Sequence, residues 1–240
     1  MPDLSGKTKT EGGKFMTQEK YLKPVTVLLT AVLILTGCAK QARITQVAEQ
    51  SAATPAPGAP KGQQITPGDF FYIYQDAGSR ENHYIPSGWM GDYGDMKMNQ
   101  NCTVDPQSGK SCIEIKYDAK RRQGAGWVGI FWQNPANNWG DIRGGYNLTG
   151  AKRLTFWARG AKGGETINEF KIGGIRGVYS DSDSAAIGPI TLTKSWKKYT
   201  IDLTGLDLSY ISGGFCWATS ADMNPDGFTI YFDEIRYEFK

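Results

Sequence analysis

Two segments of the chain combine aromatic rings with short polar side chains. Residues 132–141 hold Trp139 among asparagines and glycine, and residues 83–93 hold Trp89 among glycines and a proline. An exposed aromatic ring offers a flat apolar surface, while nearby amide, carboxylate or guanidinium groups offer hydrogen bonds. Sugars present apolar C–H faces rimmed by hydroxyl groups. The two segments are therefore candidate sugar contacts.

The candidate ligand contacts are Trp89, Tyr93, Trp132, Trp139, Asp141 and Arg176. The last of these lies in a third polar, glycine-containing segment, residues 173–188. Each candidate has a structural alternative, because large aromatic side chains are more often buried than exposed and polar loops are often only solvated. Four further tryptophans are predicted to be mainly structural, because large aromatic side chains are more often core residues than ligand contacts: Trp127, Trp157, Trp196 and Trp217.

The elements that must position these side chains are predicted to be short strands. In residues 111–117 and 198–203, apolar and polar side chains alternate, which is typical of strands with one buried face. Similar signals occur at 71–74, 127–132, 153–159, 167–172, 189–193, 214–218 and 229–239. The 30 glycines suit tight turns between such strands. We therefore expect an all-β fold, a two-sheet antiparallel sandwich of the jelly-roll type.

The N-terminal residues have the pattern of an export signal. Lys20 and Lys23 precede a short apolar run, residues 25–35, which is followed by Thr36-Gly37-Cys38. A run this short does not span a bilayer core of about 30 Å but suits a cleaved signal peptide. The small residues before Cys38 are typical of bacterial lipoproteins, in which lipid is attached to the cysteine. The alternative is a buried strand that ends in a core cysteine.

These observations predict three regions. Residues 1–37 form the leader, with Met16 as the suspected true start; residues 38–64 form a flexible, proline-containing linker; and residues 65–240 form the domain. Ala39 is not the aspartate of an inner-membrane retention signal, so we expect the cell envelope, and the outer membrane before the inner. The net charge of only +3 predicts no nucleic-acid partner.

Three cysteines lie in the predicted domain. Cys102 and Cys112 flank a turn-forming stretch, residues 105–109, that would place them opposite each other on a hairpin. Because export favours oxidation, a disulfide is expected there. Cys216 lies between two aromatic residues and is predicted to be a small buried hydrophobe.

Residues 154–160, 196–203 and 230–235 resemble core strands of the galactose-binding-like jelly rolls, which include non-catalytic carbohydrate-binding modules. The resemblance implies a polysaccharide or oligosaccharide ligand. It also implies a structural calcium ion, held partly by an acid on the last strand, for which Asp233 is the candidate and Asp76 a companion. The alternative for Asp233 is a solvated or turn-capping acid, because calcium needs six to eight oxygen ligands.

Catalytic signatures are lacking in the sequence. No Glu-x-Asp-x-x-Glu array and no Gly-x-Ser-x-Gly elbow occurs, and His83 is the single histidine. The sequence therefore favours a membrane-anchored lipoprotein that binds carbohydrate without catalysis. Two alternatives stay open: a polysaccharide lyase or hydrolase, and an adaptor lipoprotein that binds a protein partner.

Overall fold

The computed structural model describes residues 61–66 and 68–240. The predicted leader, the predicted lipidation site Cys38 and most of the predicted linker lie outside the described residues. The end of that linker is corrected by the structure. Gln63–Gln64 forms a parallel pair with Tyr146–Asn147, and the amide of Gln63 donates to the carbonyl of Gly145 (2.8 Å). The ordered domain therefore begins before residue 65.

The described residues form strands and one short 3-10 helix, Tyr93–Asp95. The strands are β1 (Gln63–Gln64), β2 (Phe70–Tyr74), β3 (Ile85–Gly91), β4 (Met96–Cys102), β5 (Cys112–Tyr117), β6 (Trp127–Gln133), β7 (Tyr146–Asn147), β8 (Arg153–Gly160), β9 (Thr166–Ile167), β10 (Glu169–Gly173), β11 (Ser184–Ile187), β12 (Ile190–Thr191), β13 (Lys197–Asp202), β14 (Gly213–Ser220) and β15 (Phe228–Glu238). Within this part of the chain, no helix has the length and apolar character needed to cross a bilayer.

Two antiparallel sheets make up the domain. The five-stranded sheet has the order β11-β10-β14-β6-β3, and the six-stranded sheet has the order β13-β8-β15-β5-β4, with β2 also paired to β15. The short strands β9 and β12 form a separate antiparallel pair. Strands that are neighbours in a sheet are often distant in the sequence; β15, for example, lies between β8 and β5. The predicted all-β sandwich of the jelly-roll type is confirmed.

Aromatic rings fill the space between the sheets. Phe170 and Phe215 from the five-stranded sheet meet Phe156 and Phe232 from the six-stranded sheet, with ring centroids 4.7–6.2 Å apart. All four side chains are fully buried. Buried aromatic rings of this size contribute strongly to core stability through apolar area and tilted or edge contacts. The alternating patterns of the sequence therefore place their apolar side chains in one shared core.

Two segments for which no strand is predicted from the sequence contain strands. The first, residues 83–93, includes β3, and the second, residues 173–188, includes β11. Both strands lie at edges of the five-stranded sheet. The pairing of β3 with β6 is irregular between Pro86 and Gly88, residue types that obscure a strand pattern and are tolerated at edges. Their edge position explains why the local sequence pattern did not predict these two strands.

The predicted cysteine hairpin is present, but the predicted disulfide is not. Cys102 and Cys112 are direct partners in the pairing of β4 with β5. Both are nevertheless free thiols, buried against Tyr231. Burial, together with the neighbouring Cys102, raises the pKa of the Cys112 thiol to about 12. Because the thiolate is the form that reacts, this environment keeps the Cys112 thiol protonated and slow to oxidise. Cys216 is also buried, as expected.

Candidate functional site

The outward side of the five-stranded sheet carries an aromatic and apolar surface, which we call the sheet face. Along β6, Val128 and Ile130 point into the core, so alternation directs Trp127 and Phe131 outward. Cys216 of β14 is the direct partner of Phe131 and lies on the same side. Residues on this side form an apolar cluster separate from the main core: Phe131, Ile175, Cys216 and Met90.

Trp139 stands over this surface. Its ring meets Phe131 edge-on, with centroids 6.2 Å apart and planes at 89°. The side chain remains 43% exposed. Lys171 approaches the same phenyl ring, with Nζ 5.8 Å from its centroid. Phe131 is only 6% exposed, so Trp139 is the accessible ring of this pair, with a cation beside it.

Hydrogen bonds hold the loop that carries Trp139. Gln133 donates through Nε2 to the carbonyl of Asn138 (2.8 Å), and the amide of Gly140 donates to Oδ1 of Asn138 (2.9 Å). The amide of Asn137 donates to Oγ of Ser87 (2.8 Å). Asn138 and Gln133 are fully buried. Their bonds fix the loop before any ligand arrives, which lowers the entropy cost of binding.

The segment with Arg176 packs against the same loop. The amide of Tyr179 donates to the carbonyl of Gly140 (2.8 Å), and Gly140 has a φ of 92°. A side chain at Gly140 would collide with the backbone of Arg176, so glycine is required for this close approach. Asp141 and Arg176 are both exposed. The structure therefore brings the predicted contacts Trp139, Asp141 and Arg176 to one loop cluster.

Trp127 is a contact candidate that the sequence interpretation missed. It is 40% exposed and lies on the sheet face, four residues before Phe131 along β6. Gly129 lies between them and adds no side chain to the surface. A side chain there would contact Met90 and Ala218. Alternation with Val128 and Ile130 could have shown that Trp127 faces the opposite side of β6. Because both sides of β6 carry apolar residues, the sequence did not show which side is exposed.

Three other predicted contacts lie elsewhere. Trp132 is wrong as a ligand contact, because it is fully buried and packs on Phe215 in the core, with centroids 5.5 Å apart. Trp89 is 36% exposed, but it pairs with the core-facing Ile130 and so lies on the inner side of edge strand β3. Tyr93 is 51% exposed in the short 3-10 helix. The sequence alone did not separate these positions from the sheet face.

Asp233 and Asp76 anchor one loop, residues 105–111. Oδ2 of Asp233 accepts the amides of Gln107 (2.9 Å) and Ser108 (3.2 Å). Oδ1 of Asp76 accepts the amides of Lys110 and Ser111, both at 2.8 Å. Burial raises the pKa of Asp233 to about 7, although these amides oppose the shift. The two carboxylates therefore hold the turn between the cysteines.

These contacts bear on the calcium prediction. Among the described residues, no group of three or more His, Cys, Asp or Glu side chains is placed to hold a metal. An ion beside Asp76 and Asp233 would need backbone carbonyl oxygens to reach the six to eight ligands of calcium. One oxygen of each carboxylate already accepts two amides. Calcium at these residues stays a prediction.

Comparison with known proteins adds evidence on the fold. No protein-family model and no curated protein sequence matches the chain significantly. A solved family 30 carbohydrate-binding module matches 71% of this chain and 88% of its own length, with a TM-score of 0.50 and 17% identity. The chain has the fold of a carbohydrate-binding module. This confirms the expected similarity to such modules at the level of fold.

Two further solved modules match less closely. A family 30 module of a Clostridium thermocellum cellulosomal cellulase covers 70% of this chain and 96% of its own, with a TM-score of 0.48 and 18% identity. A family 11 module from the same organism covers 64% and 88%, with a TM-score of 0.43 and 18% identity.

Proposed function

We propose that this domain binds a polysaccharide or oligosaccharide on the sheet face, without catalysis. The observation that carries the proposal is the placement of the exposed Trp127 and Trp139 on one outward surface, where Trp139 packs edge-on against the buried Phe131. Trp127 and Phe131 are four residues apart on one strand, a distance of about 13 Å. That distance exceeds one pyranose ring, so the surface suits a chain of several sugars.

The chemistry of the surface supports a sugar. Partly exposed rings can stack on C–H faces, and exposed Asp141 and Arg176 can hydrogen-bond hydroxyl groups at the Trp139 end. Lys171 adds a donor beside Phe131. The preformed loop around Trp139 avoids an ordering cost. The fold supports the same assignment, since the similar family 30 structure is named as a carbohydrate-binding module.

Binding is favoured over turnover by the state of the carboxyl groups. Burial raises the pKa of both Asp181 and Asp233. A raised pKa is a property of acid catalysts. Both groups, however, are buried and accept backbone amides, Asp181 from Ile175 and Ser212. Their hydrogen bonds explain them as structural anchors, so neither is assigned to a reaction.

We further propose that the domain is displayed at the cell envelope through lipid on Cys38, with the outer membrane as the expected location. Cys38 lies outside the described residues, and the support comes from the signal-like leader and the small residues before the cysteine. The segment between Cys38 and residue 61 then serves as the tether. A sugar-binding domain on a tether would hold the cell surface close to glycan.

The test uses the full-length chain and a panel of neutral oligosaccharides, followed by calorimetry on any that bind. The double variant Trp127→Ala/Trp139→Ala is expected to lose about 1–3 kcal/mol of binding free energy for each stacked ring. Trp157→Ala is the matched control, because Trp157 is half-buried in the six-stranded sheet. Product release would indicate a lyase or hydrolase instead. Equal losses in both variants, or no binding to any glycan, would refute the sheet-face proposal.

A further inference from the structure

A large cleft lies apart from the sheet face, and we call it the end cleft. Its volume is about 850 Å³, within the range of small-molecule sites. It is formed where β4 begins, β5 ends, β8 ends and β15 begins, together with the adjoining loops. The residues that line the cleft come from four stretches of the chain: 94–97, 116–122, 161–165 and 223–229. None of these residues belongs to the sheet face.

Positive charge predominates on the exposed rim of this cleft. Its exposed basic residues are Lys97, Lys116, Lys120, Arg122 and Lys162. Its exposed acids are Asp118 and Asp226, and two further acids, Asp95 and Glu165, are buried in its wall. Residues 61–240 as a whole carry 20 basic and 20 acidic side chains. The lining as a whole carries five basic and four acidic side chains, but two of the acids are buried, so the exposed rim has an excess of positive charge that attracts anionic ligands.

Two of the lysines have no acidic partner among the described residues. Lys116 pairs with Glu114 (3.0 Å) and Lys120 with Asp118 (3.4 Å). Arg122 pairs with Asp95 and Asp118. Within residues 61–66 and 68–240, no ion pair involves Lys97 or Lys162. Their ammonium groups are therefore available to an anionic ligand.

Buried acceptors in the cleft wall indicate what else the ligand carries. Oδ2 of Asp95, Oε2 of Glu165 and the hydroxyl of Tyr117 are buried, and none has a hydrogen-bond partner among the described residues. All three residues line the end cleft. Leaving a buried polar atom unpaired is costly, so a small side-chain turn toward a donor-rich ligand would be favourable. Hydroxyl groups would supply those donors.

We propose that the end cleft is a second binding site, specific for an acidic saccharide that contains uronic acid. Its carboxylate would pair with Lys97 and Lys162, and its hydroxyl groups would donate to Asp95 and Glu165. An inorganic anion offers the negative charge without these donors, and a neutral sugar offers the donors without the charge. The inference goes beyond the sheet-face function and does not depend on it.

The test measures binding of oligogalacturonate to the full-length chain. The double variant Lys97→Gln/Lys162→Gln is expected to bind at least about tenfold more weakly, because each charge-assisted hydrogen bond contributes that much or more. Lys110→Gln/Lys152→Gln is the matched control, since it removes the same charge from exposed residues outside the cleft. The control is expected to bind like the parent protein.

Three outcomes would overturn the proposal. The first is no binding of oligogalacturonate to the parent protein. The second is an equal loss in both double variants, which would indicate diffuse charge attraction. The third is competition by inorganic phosphate or by vesicles with anionic phospholipid as effective as that by oligogalacturonate. The Lys97→Gln/Lys162→Gln variant should also keep any neutral-glycan binding, so failure here is distinguishable from failure of the sheet-face site.

Discussion

Replacing Trp139 with alanine should affect ligand binding more than folding. The ring is 43% exposed, and it pairs edge-on with Phe131. Such aromatic pairs contribute about 0.5–1.5 kcal/mol beyond the area that they bury. The polar bonds that hold the loop come from Gln133, Asn138 and Ser87 and survive the change. We therefore expect Trp139→Ala to lower the free energy of unfolding by about 1 kcal/mol.

The effect on binding should be larger. If the ring stacks on a sugar, its loss should weaken binding by about 1–3 kcal/mol, by analogy with base–aromatic stacking. This corresponds to roughly 5- to 150-fold in the dissociation constant. A core tryptophan gives the opposite pattern. Trp217 is fully buried against Phe228 and Phe232, so Trp217→Ala should cost about 3–5 kcal/mol of stability.

Both quantities can be measured on the same proteins. Urea unfolding gives the midpoint and slope, and calorimetry with the best-binding oligosaccharide gives the affinity. The reasoning predicts that the Trp139 variant stays folded but binds weakly. Should Trp139→Ala prove as destabilising as Trp217→Ala, the loop would be structural. Should affinity stay unchanged, Trp139 would not belong to the binding surface.

Further expectations concern the anchor, the cysteines, the metal and the pH dependence. Cys38→Ser should remove the protein from the membrane fraction, and unchanged fractionation and mass would contradict a lipid anchor. Cys102 and Cys112 should stay free in folded protein exposed to air, because both thiols are buried, and a disulfide-linked peptide in a non-reducing map would contradict this. Chelation should lower the Tm of protein that has retained calcium, and Asp233→Ala should abolish that response; an unresponsive parent protein would remove the ion. Burial opposes ionisation of Glu238, but hydrogen bonds from basic and hydroxyl groups lower its pKa from 4.5 to about 2. Its stabilising contribution, about 3 kcal/mol, is therefore present above pH 4.5 and lost as the pH falls toward 2, so Glu238→Gln should flatten the decline of urea midpoints in that window. An unaltered decline would show that other groups cause it.

Local sequence determined much of the fold. Strict alternation in residues 111–117 and 198–203 was sufficient to predict β5 and β13, because each strand has one buried and one solvated face. The turn between Cys102 and Cys112 correctly predicted a hairpin with those residues opposed. Such patterns depend on neighbouring residues alone. They need no knowledge of the rest of the chain.

Only the tertiary structure decided which side of a strand is covered. In β6, apolar side chains occur on both sides, so alternation shows that Trp132 shares a side with Val128 but not whether that side meets the other sheet. Packing against the six-stranded sheet buries Trp132 and leaves Trp127 exposed. A shift of one residue would have reversed the two. Edge strand β3 and the end cleft likewise arise from segments distant in sequence, because contacts between sheets and between the ends of strands are not encoded in any local period.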